Sequence, residues 1–129
     1  MIKWIKERED LSFIPYIVFG LIVLLFIQRM IPTKGVKQIS TEELKIELQD
    51  KNKQFIDVRT PGEFKGYHIR GFKNIPLHQL PQKVNEISKE KEVIVICQSG
   101  MRSQKASKIL KGLGYSRVIN VKGGVSAWR

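Results

Sequence analysis

One segment limits the fold of this chain more than any other: four β-branched residues in succession, Val93-Ile94-Val95-Ile96, entered from Glu92. A strand with one face in water alternates apolar and polar residues. A run that is apolar at every position is buried on both faces, as in a parallel sheet covered by helices on each side. The flanking patterns agree. Ala106, Ile109, Leu110 and Leu113 fall at i, i+3, i+4 and i+7, with Gly114 placed to cap the helix end. Leu77, Leu80, Val84 and Ile87 also recur at helical spacing, and Ser40-Thr41-Glu42-Glu43 has capping-box spacing ahead of Leu44 and Leu48. Gln54–Val58 and Arg117–Val121 read as further strands. Strands alternating with helices predict an α/β domain with a largely parallel sheet, whose ligands gather at the carboxyl ends of the strands.

The chain is 129 residues long, which leaves room for one such domain and no second. Ahead of it, Leu11 to Gln28 is free of charge for eighteen residues, and Met30 and Ile31 extend the apolar stretch past Arg29. The expected organisation is a tail at 1–10, a transmembrane helix at 11–31, a linker at 32–38 and the domain at 39–129. Basic residues nearly balance on the two sides of the segment, with Lys3, Lys6 and Arg8 before it and Arg29, Lys34 and Lys37 after it. Orientation then rests on chemistry. The single cysteine forbids an internal disulfide, and a functional thiol has to stay reduced, so the domain is expected in the cytoplasm, tethered to the cell membrane.

A formal charge of +11 raises the question of nucleic acid, but the basic residues are dispersed and no basic run interleaves with aromatics. Nucleic acid is therefore not expected as a partner. A basic surface does draw anionic lipid and small anionic substrates. One cysteine and two separated histidines give no metal-ligand spacing, and no metal or other cofactor is expected.

The chemistry concentrates where the buried run ends. Cys97 follows Ile96 and opens the loop Gln98-Ser99-Gly100-Met101-Arg102, with a helix expected from about Ser103. A sulfur at a strand's carboxyl end and against a helix N-terminus meets free amides and the positive end of the helix dipole, and Arg102 adds a full charge. Gly100 lets the backbone turn so that successive amides point inward. Transfer of sulfur and hydrolysis of phosphate esters both use a thiolate in such a cradle. A phosphoryl-wrapping loop of the Cys-x5-Arg type is one residue longer than this one. No aspartate in or just after the loop is placed to protonate an alkoxide.

Four ordered segments resemble the rhodanese family of sulfurtransferases, from about Ile39 to Trp128. They are Ile56-Asp57-Val58-Arg59 with Pro61, Glu63 and Phe64; Gly66-Tyr67-His68-Ile69-Arg70-Gly71 through Ile75-Pro76; the Cys-x-x-Gly-x-Arg-Ser loop from Cys97 to Ser103; and Gly123-Gly124 with Trp128. The resemblance implies a five-stranded parallel sheet with helices on both faces. It also implies a persulfide on Cys97, loaded from thiosulfate or a protein persulfide and discharged to a thiol or protein acceptor. On this reading Cys97 is the nucleophile and Arg102 neutralises an anionic donor. Gln98, Ser99, Gly100, Met101 and Ser103 form the substrate cradle. Asp57 and Arg59 make an ion-paired framework with Glu63, His68 is a buried histidine linking loops, and His78 is an exposed helix-start residue. A second reading, of a tethered carrier or docking module that holds sulfur without turning over, uses the same loop.

Overall fold

The computed structural model describes residues 9–30 and 34–129, and it divides into two compact units at Ile31 and Pro32. Most of the expected tail, and Ile31, Pro32 and Thr33 of the expected anchor and linker, lie outside the described residues.

The first unit contains helix α1, Ile14–Met30, preceded by a 3-10 turn at Glu9–Leu11. Pro15 sits in the first turn, where its missing amide costs least, and the helix starts there and not at Leu11. The expected span at 11–31 is thereby corrected. Seventeen residues reach about 26 Å, short of the ~30 Å hydrocarbon layer. Among the described residues no helix is long and apolar enough to cross a membrane.

The second unit is the α/β domain. Its elements are β1 (Lys37–Ile39), α2 (Thr41–Glu47), β2 (Gln54–Asp57), α3 (Pro61–Gly66), β3 (Lys73–Asn74), α4 (Leu80–Lys83), β4 (Val93–Ile96), α5 (Met101–Gly112), β5 (Val118–Val121) and α6 (Gly124–Ala127). All strand pairs are parallel, in the order β1-β5-β4-β2-β3. The doubly buried strand expected at 92–96 is the central β4, and all four of its residues are buried. Strand β1 begins inside the segment read as a linker, and Val36 already belongs to the core.

Because side chains alternate along a strand, the sheet carries two cores. Val93, Val95 and Cys97 face one side with Val58, Leu80, Ala106 and Leu110, beneath α4 and α5. Ile94 and Ile96 face the other with Leu44, Ile69, Phe72 and Val125, beneath α2 and α6. The helix read from Leu77 to Ile87 is instead three short pieces, a 3-10 turn at Leu77–Gln79, α4, and a 3-10 turn at Val84–Glu86. Pro81 explains the first break, since it withholds an amide and is tolerated only at a helix start. The apolar spacing survives, and Leu80 and Ile87 are buried.

Candidate active site

Cys97 lies one residue beyond β4, at the carboxyl edge of the sheet, and only 1% of it is exposed. The chain turns at once. Gly100 has φ +107, a left-handed conformation that glycine adopts without a Cβ penalty, and it caps α5. The turn brings the Gly100 N–H to the Cys97 sulfur at 3.0 Å. Helix α5 begins at Met101, two residues earlier than expected, so Arg102 and Ser103 belong to its first turn. The first backbone bond closing this end runs from Gln104 N–H to the Gly100 carbonyl at 3.1 Å, leaving the amides before it without a helical acceptor. A negative charge on sulfur therefore meets a fixed donor and the positive end of a twelve-residue helix.

The loop is held from three sides. Ser103, fully buried, donates its hydroxyl to the Gly100 carbonyl at 3.0 Å, and Ser107 donates to the Ser103 carbonyl at 2.7 Å. Ser103 thus braces the cradle from below. On a second side, Arg59 forms a buried pair with Asp57, with guanidinium-to-carboxylate distances of 2.9–3.1 Å. The same guanidinium donates to the Tyr67 carbonyl at 2.7 Å and to the Gln98 side-chain oxygen at 3.2 Å. Gln98 is therefore tied inward to Arg59, while Ser99 and Met101 are exposed at the loop's surface. Asn74 completes this corner by donating to the Asp57 and Arg59 carbonyls at 2.9 and 3.0 Å.

The third side was not anticipated. Val125 N–H donates to the Cys97 carbonyl at 2.9 Å and Ser126 N–H to the Gln98 carbonyl at 3.0 Å, so the last short helix grips the loop's backbone. Gly123 and Gly124 both have positive φ, and a Cβ on Gly124 would stand 2.2 Å from the Cys97 carbonyl oxygen. The Gly-Gly pair is visible in the sequence, but only the fold shows what it approaches.

Two expected roles change. Glu63 does not join Asp57 and Arg59; it forms a two-pronged pair with Arg102 at 2.6 and 2.9 Å, joining α3 to the first turn of α5. Glu63 is placed by a capping box in which Thr60 accepts from the Glu63 amide and the Glu63 carboxylate accepts from the Thr60 amide. Arg102 is thus held as a brace. His68 is exposed and not buried: its ring stacks on Phe64 at 3.8 Å and its Nδ1 lies 2.9 Å from the Phe64 carbonyl oxygen, within its own turn. His78 is exposed in its 3-10 turn, as expected.

The Arg102 hydrogen bonds hold the Glu63 carboxyl down to about 2, helped by the Thr60 donors and opposed by burial; Glu63 in turn pushes Arg102 further up. A carboxyl depressed on folding stabilises above its unfolded value of about 4.5 and loses that contribution as pH falls toward 2. The pair is about one-third exposed, so its worth is about 1 kcal/mol or less. Glu63→Gln is expected to flatten the stability profile between pH 4.5 and 2 and to leave its slope near pH 7 unchanged, as read by urea midpoints across pH. An unaltered acid limb would remove Glu63 from this account.

A model of the rhodanese-like domain matches residues 40–129. The chain belongs to the rhodanese-like family. An uncharacterized protein of Bacillus subtilis, YqhL, is 37% identical over 117 residues, 91% of this chain and 92% of that protein. A sulfurtransferase of Allochromatium vinosum is 37% identical over 94 residues, 72% of this chain and 88% of its own. Among solved structures, a rhodanese-like domain protein from Staphylococcus aureus superposes with a TM-score of 0.68 at 36% identity, covering 73% of this chain and 92% of that one. The family is thus the one that the motifs resemble. Its five-stranded parallel sheet and two helical layers are what the rhodanese-like domain here displays.

Proposed function

We propose that the domain is a sulfurtransferase that moves a sulfane sulfur from thiosulfate or a persulfide donor to a thiophilic acceptor through a persulfide on Cys97. The observation that carries this reading is the seat of the sulfur: one cysteine at the end of β4, with a glycine amide 3.0 Å from Sγ and only four residues between it and Arg102. The Cys97 thiolate attacks the outer sulfur of the donor. The S–S bond forms as the donor's leaving group departs with its electron pair, sulfite in the case of thiosulfate. An acceptor nucleophile then takes the outer sulfur and returns the electron pair to Cys97. Gly100 N–H donates to the Cys97 sulfur and steadies its thiolate, and the Glu63–Arg102 pair holds the first turn of α5 in place at the loop's rim. Intact-mass spectrometry of the full chain after thiosulfate treatment tests it. One added sulfur, released by cyanide, is expected; an unmodified mass would end the proposal.

Location follows from α1 and the lone thiol. A helix apolar on every side is stable only in lipid or inside protein, and the thiol stays reduced on the cytoplasmic side. We place the chain at the cell membrane with its domain facing the cytoplasm, seated by the apolar segment around α1. The full chain is expected in the membrane fraction after alkaline carbonate washing, with the domain protected from protease added outside right-side-out vesicles and digested once the vesicles are opened. Recovery in the soluble fraction would refute this.

A further inference from the structure

Two guanidinium groups stand at the Cys97 loop, and each is matched by a carboxylate. Arg59, which donates to the Gln98 side-chain oxygen at 3.2 Å, is paired with buried Asp57. Arg102, at the loop's end, is held by both oxygens of Glu63 at 2.6 and 2.9 Å. Gln98, Ser99, Gly100 and Met101 between them carry no charge. The next cation of α5, Lys105, lines a cleft with Leu77, Pro81 and Ile109, away from the sulfur. Arg102 is within electrostatic reach of the chemistry. Its hydrogen bonds to Glu63 raise its pKa furthest, and a negative Cys97 acts on it more weakly. With both guanidinium groups matched, a donor's charge meets the Gly100 N–H and the positive end of α5, which is worth about half a unit charge.

Donors of different charge fare differently in such a loop. Thiosulfate is a dianion, and its approach to the Cys97 thiolate gathers three negative charges where the protein supplies little net positive charge. The neutral persulfide of a thiol adds none to the thiolate's own. We propose that Glu63 sets donor specificity: by occupying Arg102 it disfavours dianionic donors and leaves Cys97 to sulfane donors of low charge, the class being the persulfide of a small organic thiol, R–S–SH. This rests on the persulfide reading. In loading, the Cys97 thiolate attacks the outer sulfur of R–S–SH. The bond from Cys97 Sγ to that sulfur forms, the R–S to SH bond breaks, and its electron pair leaves on R–S⁻. The products are Cys97–S–SH and the thiolate R–S⁻, with no external oxidant or reductant. Glu63 touches neither partner and acts through Arg102.

The test uses the full chain and two donors that deliver the same sulfane sulfur with different charge: thiosulfate, a dianion, and methanethiosulfonate, a monoanion whose leaving group is methanesulfinate. Single-turnover loading is followed by intact mass, and the half-saturating concentration is read for each. In the unsubstituted chain methanethiosulfonate is expected to half-saturate below thiosulfate. Glu63→Gln keeps an oxygen that can accept from Arg102 and removes only the charge. One unit charge at a pair about one-third exposed is worth about threefold. Because the interaction scales with the donor's own charge, the half-saturating concentration should fall about threefold for the monoanion and about tenfold for the dianion. The thiosulfate-to-methanethiosulfonate ratio therefore falls about threefold. Glu63→Asp retains the charge and should restore the original ratio. Glu86→Gln, which opens the exposed pair with Lys73, should also preserve it. A general loss of folding or thiol reactivity moves both donors alike and cancels in the ratio. An unchanged ratio in Glu63→Gln, an equal fall in Glu63→Asp or Glu86→Gln, or thiosulfate half-saturating below methanethiosulfonate in the unsubstituted chain would each overturn the role of Glu63 while leaving the persulfide in place. Failure of both donors to load Cys97 would instead overturn the parent reading.

Discussion

Cys97→Ser is expected to abolish sulfur loading completely while the domain stays folded. The sulfur is the only atom of its kind in a cysteine side chain here, since no second cysteine exists to take over. The replacement also suits the site. The Gly100 N–H now satisfied by sulfur at 3.0 Å finds a serine oxygen in nearly the same place. Cys97→Ala is the poorer control, because it strands that buried donor at a cost of about 1–3 kcal/mol. With serine the change in stability should stay near 1 kcal/mol, the net size of a single hydrogen-bond adjustment. Intact mass after thiosulfate reads loading, and urea unfolding reads the fold. A serine variant that still gains one sulfur would place the chemistry elsewhere.

Gly124→Ala should produce the largest loss of stability among single-methyl additions in the domain. A Cβ there would lie 2.2 Å from the Cys97 carbonyl oxygen and 2.7 Å from the Gln98 carbonyl carbon and oxygen. These are backbone atoms and have no rotamer by which to retreat. Overpacking of this kind costs about 1–3 kcal/mol, and the left-handed conformation at φ +59 adds about 1–2 kcal/mol. Together they predict a fall in melting temperature of about 10 °C or more for a domain of this size. Gly35→Ala is the matched comparison: φ is +86, but the new atom meets only the Lys111 side chain at 3.2 Å, which can swing away. The difference between the two variants isolates the clash. Because the clash lies on the Cys97 carbonyl, Gly124→Ala should also slow sulfur loading at temperatures where it remains folded. Equal losses at Gly35 and Gly124 would show that α6 does not grip the loop.

What could be read directly from the sequence followed from periodicity. The β-branched run became the central strand, and of the stripe Ala106, Ile109, Leu110 and Leu113, Ala106 and Leu110 are buried and Ile109 packs partly buried against the core, while Leu113, just past the end of α5, is exposed. Elements without period were lost. Strands β1 and β3 have three and two residues, too few to alternate. Helix α3 has no fully buried residue and packs only Phe64 partly against the core, so no apolar stripe announces it, although Thr60-x-x-Glu63 carries the capping-box spacing that was recognised at Ser40. The position of Cys97 at a strand end was visible for the same reason as the strand itself. Its supports were not, since they depend on contacts between distant residues: Glu63 meets Arg102 across thirty-nine positions, and charge alone offered Arg59 as an equally good partner. His68 looked central because of its neighbours in sequence, yet its contact is local, four residues back on Phe64.

The grip of α6 on the loop makes the closing turn of the fold a reporter. Cys97 is 1% exposed, so a donor or acceptor reaches its sulfur only when the loop around it moves. Any motion that displaces the Cys97 and Gln98 carbonyls breaks the bonds from Val125 and Ser126. Hydrogen exchange at those two amides therefore counts loop openings directly. If opening by this route is obligatory, its frequency is a ceiling on turnover, whatever the intrinsic reactivity of the thiol.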